Sequence, residues 1–294
     1  MTALVDSGLL VVDKAPGMTS HDVVAKVRRL AGTRKVGHAG TLDPMATGVL
    51  LLGINRATRL LGHLTLTEKA YEATVRLGAG STTDDAEGEL GEQSSTELLT
   101  EDDVRSAAGG FVGVLKQVPS SVSAIKVDGR RAHQRVRAGE DVRLDAREVT
   151  VHELLVTEVR RDGAWLDVDL SVRCSSGTYI RAIARDLGDA LGVGGHLTAL
   201  RRTAVGPFSL PDARTLDQLE DDLAMVDISD VARRCFPSCD VDVEAALDVG
   251  FGRPLALNLG HAQGAVALFA PGGVFLALYR QDGELARPVA VFTG

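Results

Sequence analysis

The sequence predicts an α+β fold with a small β-rich domain at its C-terminal end. Three observations carry this. Between residues 8 and 210, strand-like alternation is interleaved with amphipathic segments that bear helix start and stop signals. Beyond about Pro211 the composition shifts to an acidic helical stretch, and 236–294 is a series of short alternating runs joined by Pro-Gly-Gly and Asp-Gly. With 294 residues, 45 % of them hydrophobic, the chain has enough apolar material for a sizeable core, as one large domain or two smaller ones.

The first element, "GLLVVDKAPG", is a short buried strand that ends in a Pro-Gly turn. "TSHDVVAKVRRLAG" follows as a helix, with Thr19 or Ser20 as N-cap, apolar spacing through Val23, Val24, Val27 and Leu30, and Gly32 as the stop. "YEATVRLGAG" alternates like a strand, and "TELLTEDDVRSAAGGFVG" is a capped helix ending at glycines. In "KVDGRR", Asp-Gly between strand-like flanks signals a hairpin. It opens a basic, insert-like region, Lys126 to Arg147, with seven bases and four acids. "WLDVDLSVRC" is an alternating strand, Ser175-Ser176-Gly177 a turn, and a helix starts near Thr178. "GVGGHLTALRRTAVGPF" returns through a polar turn to a short strand, and an acidic helical segment runs to about Asp230. The expected domains are 1–235 and 236–294, and no repeat of fixed period is present.

The net charge of −8 argues at first against a polyanionic partner, because nucleic-acid binding rests on Lys and Arg meeting phosphates. The distribution reverses that. Residues 84–103 hold nine acids and no base, and 212–248 hold eleven acids against Arg214, Arg233 and Arg234, so the rest of the chain carries +9. Residues 14–35 alone are net +5, through Lys14, Lys26, Arg28, Arg29, Arg34 and Lys35 against Asp22. The acidic windows themselves read as solvated loops or helix faces. No apolar run approaches the roughly 18 to 20 residues that span a bilayer, and the first residues lack the basic lead of a secretory signal, so a cytoplasmic protein without membrane contact is expected. Three cysteines, an odd and sparse set, fit reduced thiols; Cys235 and Cys239 with distant His261 make a poor zinc set.

The stretch "VGHAGTLDPMATGVLLLG", Val36 to Gly53, places one carboxylate, Asp43, among glycines, threonines and a proline. Asp43 is ionised at neutral pH and needs no base to act as a nucleophile. Glycines at 37, 40 and 48 permit close approach of another molecule. The plainer alternative makes Asp43 the cap of a helix over "PMATGVLLLG" with Pro44 at its first position. A phosphate-binding P-loop and a GxGxxG turn are both absent.

Together with "GLLVVDKAPGMTS", "KAYEATVRLG", "CSSGTYIRAIARDLG" and "GGHLTALRRTAVGPF", in that order, the stretch resembles the bacterial tRNA pseudouridine synthase B family over most of residues 8–210. One departure is "DKAPG", where the proline sits one place later than the family's Lys-Pro. The resemblance implies a pseudouridine synthase fold, a large mixed and mainly antiparallel sheet flanked by helices, with a PUA-like C-terminal domain. It also implies isomerisation of uridine 55 in the T loop of tRNA, with Asp43 as nucleophile and no cofactor or metal. Tyr71 matches the tyrosine that stacks on the flipped base and is a candidate to take the C5 proton; Arg181 matches the partner of the catalytic carboxylate. Tyr179 and Leu200 match pocket-lining positions, and His38 a contact to the stem-loop. Lys14 is a candidate phosphate or loop contact, and weaker candidates for RNA contact are Arg201, Arg202, Lys126, Arg130 and Arg131. The partner is tRNA, through its T stem-loop, with a monomer and no obligate protein partner expected. Two other classes remain open: a non-catalytic RNA binder, which has no use for a carboxylate facing phosphates, and an Asp-nucleophile hydrolase, which needs a further acid or base.

Overall fold

The computed structural model describes residues 6–120, 126–127, 130–131, 144–260 and 264–293, with the backbone alone at 126–127 and 130–131. Its strands are β1 (Gly8–Lys14), β2 (Val36–Ala39), β3 (Thr47–Ile54), β4 (Lys69–Leu77), β5 (Gly113–Gln117), β6 (Lys126–Val127), β7 (Arg130–Arg131), β8 (Arg147–Asp162), β9 (Trp165–Cys174), β10 (Gly195–Val205), β11 (Phe208–Ser209) and β12 (Val226–Asp227). All but β6 and β7 join one ten-stranded sheet in the order β12-β1-β3-β10-β4-β9-β8-β5, with β2 also on β3 and β11 on β10. Only the β3–β10 contact in it is parallel, so the sheet is mixed and mainly antiparallel as expected.

One face is covered by helices. Tyr71, Ala73, Val75 and Leu77 alternate along β4 into a core shared with Val23, Val24 and Val27 of helix Ser20–Leu30, Val104 of helix Glu101–Gly109, and Ile183 and Leu187 of helix Ile180–Ala190. Both Ser20–Leu30 and Glu101–Gly109 begin with capping boxes, Thr19 with Asp22 and Thr100 with Asp103. Behind β1 and β3, Leu9, Val11, Val49 and Leu51 pack on Phe208, on helix Ile228–Cys235 through Val231, and on Phe269, Phe275 and Phe292. Those phenylalanines belong to or flank a second sheet, β13 (Ser238–Asp240), β14 (Val266–Phe269), β15 (Phe275–Asp282) and β16 (Leu285–Val291), paired in that order and accompanied by helix Val243–Gly250. Each large apolar side chain so buried contributes about 1.5–3 kcal/mol.

Three expectations are corrected, and one helix start shifts by two residues. Residues 47–54 form a strand, so no helix exists for Asp43 to cap. The strand expected to be short, β10, runs eleven residues through the middle of the sheet. The helix expected near Thr178 begins at Ile180, with Tyr179 at its N-cap. The acidic helical segment is two short helices, Leu216–Asp221 and Ile228–Cys235, separated by β12. Among the described residues, no helix is long and apolar enough to cross a membrane.

Candidate active site

The loop Gly40–Pro44 is fixed from three sides. Helix Ser20–Leu30 contributes the Ser20 hydroxyl, which accepts from the Leu42 N–H at 2.8 Å and donates to its carbonyl at 3.2 Å. From the end of β1, the Lys14 ammonium donates to the carbonyls of Ala15, Met18 and Pro44 at 3.0, 2.7 and 3.2 Å. From β10, the Arg202 guanidinium donates to the carbonyls of Val49, Thr41 and Gly40 at 2.7, 3.3 and 3.2 Å. The displaced proline turn also serves the loop, since the Gly17 N–H donates to Pro44 at 2.9 Å. The parallel contact that brings Arg202 there is possible only because Gly48 has no side chain: a Cβ would lie 2.2 Å from the Arg202 carbonyl oxygen, on a backbone with φ +98°.

Asp43 thus stands on a rigid backbone with its carboxylate 40 % exposed. Helix Ile180–Ala190 delivers Arg181, which is 5 % exposed. Its Nε lies 3.0 Å from Asp43 Oδ2, and its Nη1 lies 3.2 Å from Asp85 Oδ2 and donates to the Thr83 carbonyl at 2.8 Å. Asp85 is buried, and its Oδ1 accepts from Thr83 Oγ1 at 2.5 Å and the Glu87 N–H at 3.0 Å. One permanent cation therefore serves two carboxylates, a buried one whose other oxygen is saturated by neighbours and an exposed one facing the cavity. The N-terminus of that helix is clamped by Gln117, whose side-chain amide donates to the Tyr179 carbonyl at 3.0 Å and accepts its N–H at 2.8 Å.

Asp43, Tyr71, Tyr179, Arg181, Leu200 and Arg202 line one cavity of about 430 Å³. Burial pushes the Tyr71 phenol above its ordinary value, as it does that of Tyr179, so both are neutral phenols at pH 7. Lys69, on the cavity wall, is pushed down to about 8 by burial, with its ammonium on the Thr65 and Thr67 carbonyls at 2.9 and 3.0 Å. His38, on β2, is outside the cavity lining and stacks edge-on with His21 at 5.5 Å between centroids.

Two candidates for RNA contact are corrected, and a third has a partner within the protein. Lys14 and Arg202 are fully buried and donate to protein carbonyls, so they hold the loop and do not face phosphates. Burial pushes Lys14 down to about 8, against the pull of Asp43. Arg201, half-exposed, is a two-pronged partner of Asp13 at 3.1 and 2.7 Å. The side chains of Lys126, Arg130 and Arg131, and most of the basic region around them, lie outside the described residues; β6 and β7 pair antiparallel on either side of 128–129.

Sequence reasoning missed Asp85, Thr83 and Gln117. Asp85 sits at the head of an acidic window read as solvated, yet Asp85 is buried and Asp84 partly so. Asp84 accepts from Ser120 Oγ at 2.6 Å and pairs with Arg185 at 3.2 Å. The available signal was "GAGSTTDDAEG", which places Asp84 and Asp85 in a Gly- and Thr-rich turn after the strand Lys69–Leu77.

The N-terminal domain profile of the TruB family pseudouridylate synthases matches residues 28–180, the tRNA pseudouridylate synthase B C-terminal domain matches 181–240, and the tRNA pseudouridine synthase II C-terminal domain matches 236–293. The chain is 56 % identical to tRNA pseudouridine synthase B of Arthrobacter sp. (strain FB24), over 97 % of this chain and 96 % of that one. It is 55 % identical to the protein of that name from Thermobifida fusca (strain YX), over 98 % and 99 %. Among solved structures, a Cbf5-Nop10-Gar1 complex aligns at TM-score 0.75 and 27 % identity, covering 97 % of this chain and 85 % of that one. An H/ACA RNP bound to a substrate RNA containing 2′-deoxyuridine aligns at 0.74 and 27 %, covering 98 % and 85 %. Matched by these profiles along nearly its whole length, and more than half identical to proteins named tRNA pseudouridine synthase B, the chain belongs to the TruB family of pseudouridylate synthases.

Proposed function

We propose that this enzyme converts uridine 55 in the T loop of tRNA to pseudouridine, with Asp43 as the nucleophile. The observation that carries the reading is the half-exposed Asp43 carboxylate, held by the buried Arg181 at the mouth of a cavity large enough for one pyrimidine nucleotide. The relatives named tRNA pseudouridine synthase B support tRNA as the substrate. Flipping the uridine out of its stack costs a few kcal/mol, which base stacking in the pocket offsets. Tyr71 presents its ring to the base, with Tyr179 and Leu200 on the walls.

Asp43 attacks either the ribose C1′ or the uracil C6. Along the C1′ route, the carboxylate oxygen bonds C1′ as the C1′–N1 bond breaks, and uracil leaves with the electron pair. The ring turns to bring C5 to C1′, the C1′–C5 bond forms, and Asp43 departs as carboxylate. The C5 proton is lost and N1 gains one, so substrate and product are isomers and no redox partner enters the balance. Arg181 holds and aims Asp43, and returns to a paired carboxylate at the end. Tyr71 is the candidate to take the C5 proton; as a neutral phenol it does so while giving up its own. His38 contacts the stem-loop beside the extruded nucleotide, and the basic region 126–147 clamps it. The proposed organisation is a catalytic unit, 1–235, and a PUA-like unit, 236–294, acting in the cytoplasm as a monomer without an obligate protein partner.

Tritium release from tRNA transcripts labelled at uridine C5 tests the reading. The wild-type enzyme releases label from a transcript with uridine at 55 and none above background attributable to that site when cytidine replaces it. Undiminished release from the second transcript overturns the choice of site.

A further inference from the structure

Helix Ser20–Leu30 connects the catalytic loop to a second feature that the reaction does not use. At its start, Ser20 is hydrogen-bonded to Leu42, next to Asp43. Eleven residues on, about 16 Å along the axis, the chain reverses. The Thr33 N–H donates to the Arg28 carbonyl at 3.2 Å and the Gly32 N–H to the Arg29 carbonyl at 3.3 Å, with Gly32 at φ +59°: the paired bonds of a Schellman turn. This rigid reversal folds Arg34 back beside Arg28 and Arg29, around a surface hollow of about 490 Å³ lined by those three arginines, Gly32 and Thr33. Arg28 is fixed further by an Nη2 bond to the Val36 carbonyl at 3.1 Å, and Thr33 by a bond to Asn55 at 3.2 Å.

The charge here is gathered around one hollow without a carboxylate partner. On the same helix, Lys26 is neutralised by Glu220 at 2.7 Å and Asp217 at 3.8 Å. Several arginines on other elements, Arg105, Arg160, Arg214, Arg253 and Arg287, meet a carboxylate, and exposed Arg56, Arg59 and Arg161 are spent on backbone carbonyls. Arg28, Arg29, Arg34 and neighbouring Lys35 are all exposed, and among the described residues none forms an ion pair, in a chain with 40 acids to 32 bases. The helix dipole accounts for two cations in the last turn, but Arg34 and Lys35 lie beyond it. Gathering like charges on a rigid turn without a counter-charge is unfavourable unless a polyanion meets them.

We propose that the Arg28–Arg29–Arg34 hollow binds phosphates of the RNA outside the nucleotide that enters the cavity, seating the helical stem while the loop is at Asp43. This rests on the reading of the substrate as a structured RNA. The hollow contacts backbone and carries no base specificity, so it adds affinity and register without selecting sequence.

The test is binding of a fluorescent, unmodified tRNA transcript to the full-length enzyme by anisotropy over a series of KCl concentrations. For Arg29→Gln/Arg34→Gln, the expected result is a dissociation constant raised about tenfold, with the log–log salt slope shallower by about 1 to 2. Arg29→Lys/Arg34→Lys, which keeps the charge, restores most of the slope, and thermal melting checks that both variants fold. Arg105→Gln/Arg214→Gln removes two cations that are already paired and leaves the slope unchanged. An unchanged slope in the first variant, or an equal loss in the paired-cation control, overturns the proposal. Failure of the wild-type enzyme to form pseudouridine would instead overturn the assigned reaction, and the salt series would still report on the hollow.

Discussion

Arg181 divides its guanidinium between two carboxylates of different exposure, and that division explains how Asp43 is held and aimed without a local partner. A lysine keeps the charge but presents a single ammonium, which cannot span from Asp43 to Asp85 and the Thr83 carbonyl. Arg181→Lys is therefore expected to lower the single-turnover rate at saturating enzyme by about 100-fold, because small misplacements of a reacting group cost factors of that size. A rate within threefold of wild type would remove Arg181 from the machinery. Asp43 and Arg181 were legible in the sequence because each sits in a distinctive motif, "GTLDP" and "GTYIR". Asp85 was not, because a buried acid and a solvated one are identical in a run of acids until Arg181 is seen to arrive from 96 positions away.

Elements rather than single residues set the loop in place, and the β3–β10 contact is the tightest point. With Arg202 backbone against Gly48 and a positive φ, Gly48→Ala must push the strands apart. It is expected to cost more than about 3 kcal/mol, read as a fall in the urea midpoint, with loss of activity through the displaced Arg202. β4 offers a pH test. Burial holds Lys69 at about 8 in the native state against 10.5 unfolded. Below pH 8 both states are protonated; between about 8 and 10.5 the unfolded chain keeps the proton that the native state has shed, so stability rises with pH. The stability gap between wild type and Lys69→Met should shift in favour of wild type by about 1–3 kcal/mol from pH 7.5 to 10.5, and a flat gap would contradict the burial. The misread of 47–54 as a helix has its cause at this scale too. β3 is covered by helices on one face and by the C-terminal sheet on the other, which erases the alternation that marks a strand.

Across the whole molecule, charge and apolar surface are sorted by purpose. The acidic helix Leu216–Asp221 neutralises Lys26, and the core behind β1 and β3 is completed by residues from the C-terminal sheet, so the two sheets share one apolar interior. The three thiols lie in different apolar clusters, Cys174 in the helix-covered core, Cys235 against the shared interior and Cys239 against the C-terminal sheet: burial pushes Cys174 and Cys235 up to about 11 and raises Cys239. At pH 8 only about one Cys174 in a thousand is thiolate, so the native protein should react slowly with iodoacetamide and release three fast-reacting thiols in denaturant. Fast native labelling of Cys174 would show that β9 opens. The order of strands and helices was readable from capping boxes, turns and alternation. The packing of the second sheet against the first was not, since it depends on contacts between residues more than 200 positions apart, such as Arg56 with the Phe292 carbonyl at 2.9 Å.

The nucleophile is tested most directly by Asp43→Asn, which keeps the shape of the site and removes the carboxylate. With a T-loop transcript labelled at uridine C5, the variant is expected to bind RNA within a fewfold of wild type and to release no tritium above background in a single-turnover assay. Release at a wild-type rate from Asp43→Asn would contradict the account.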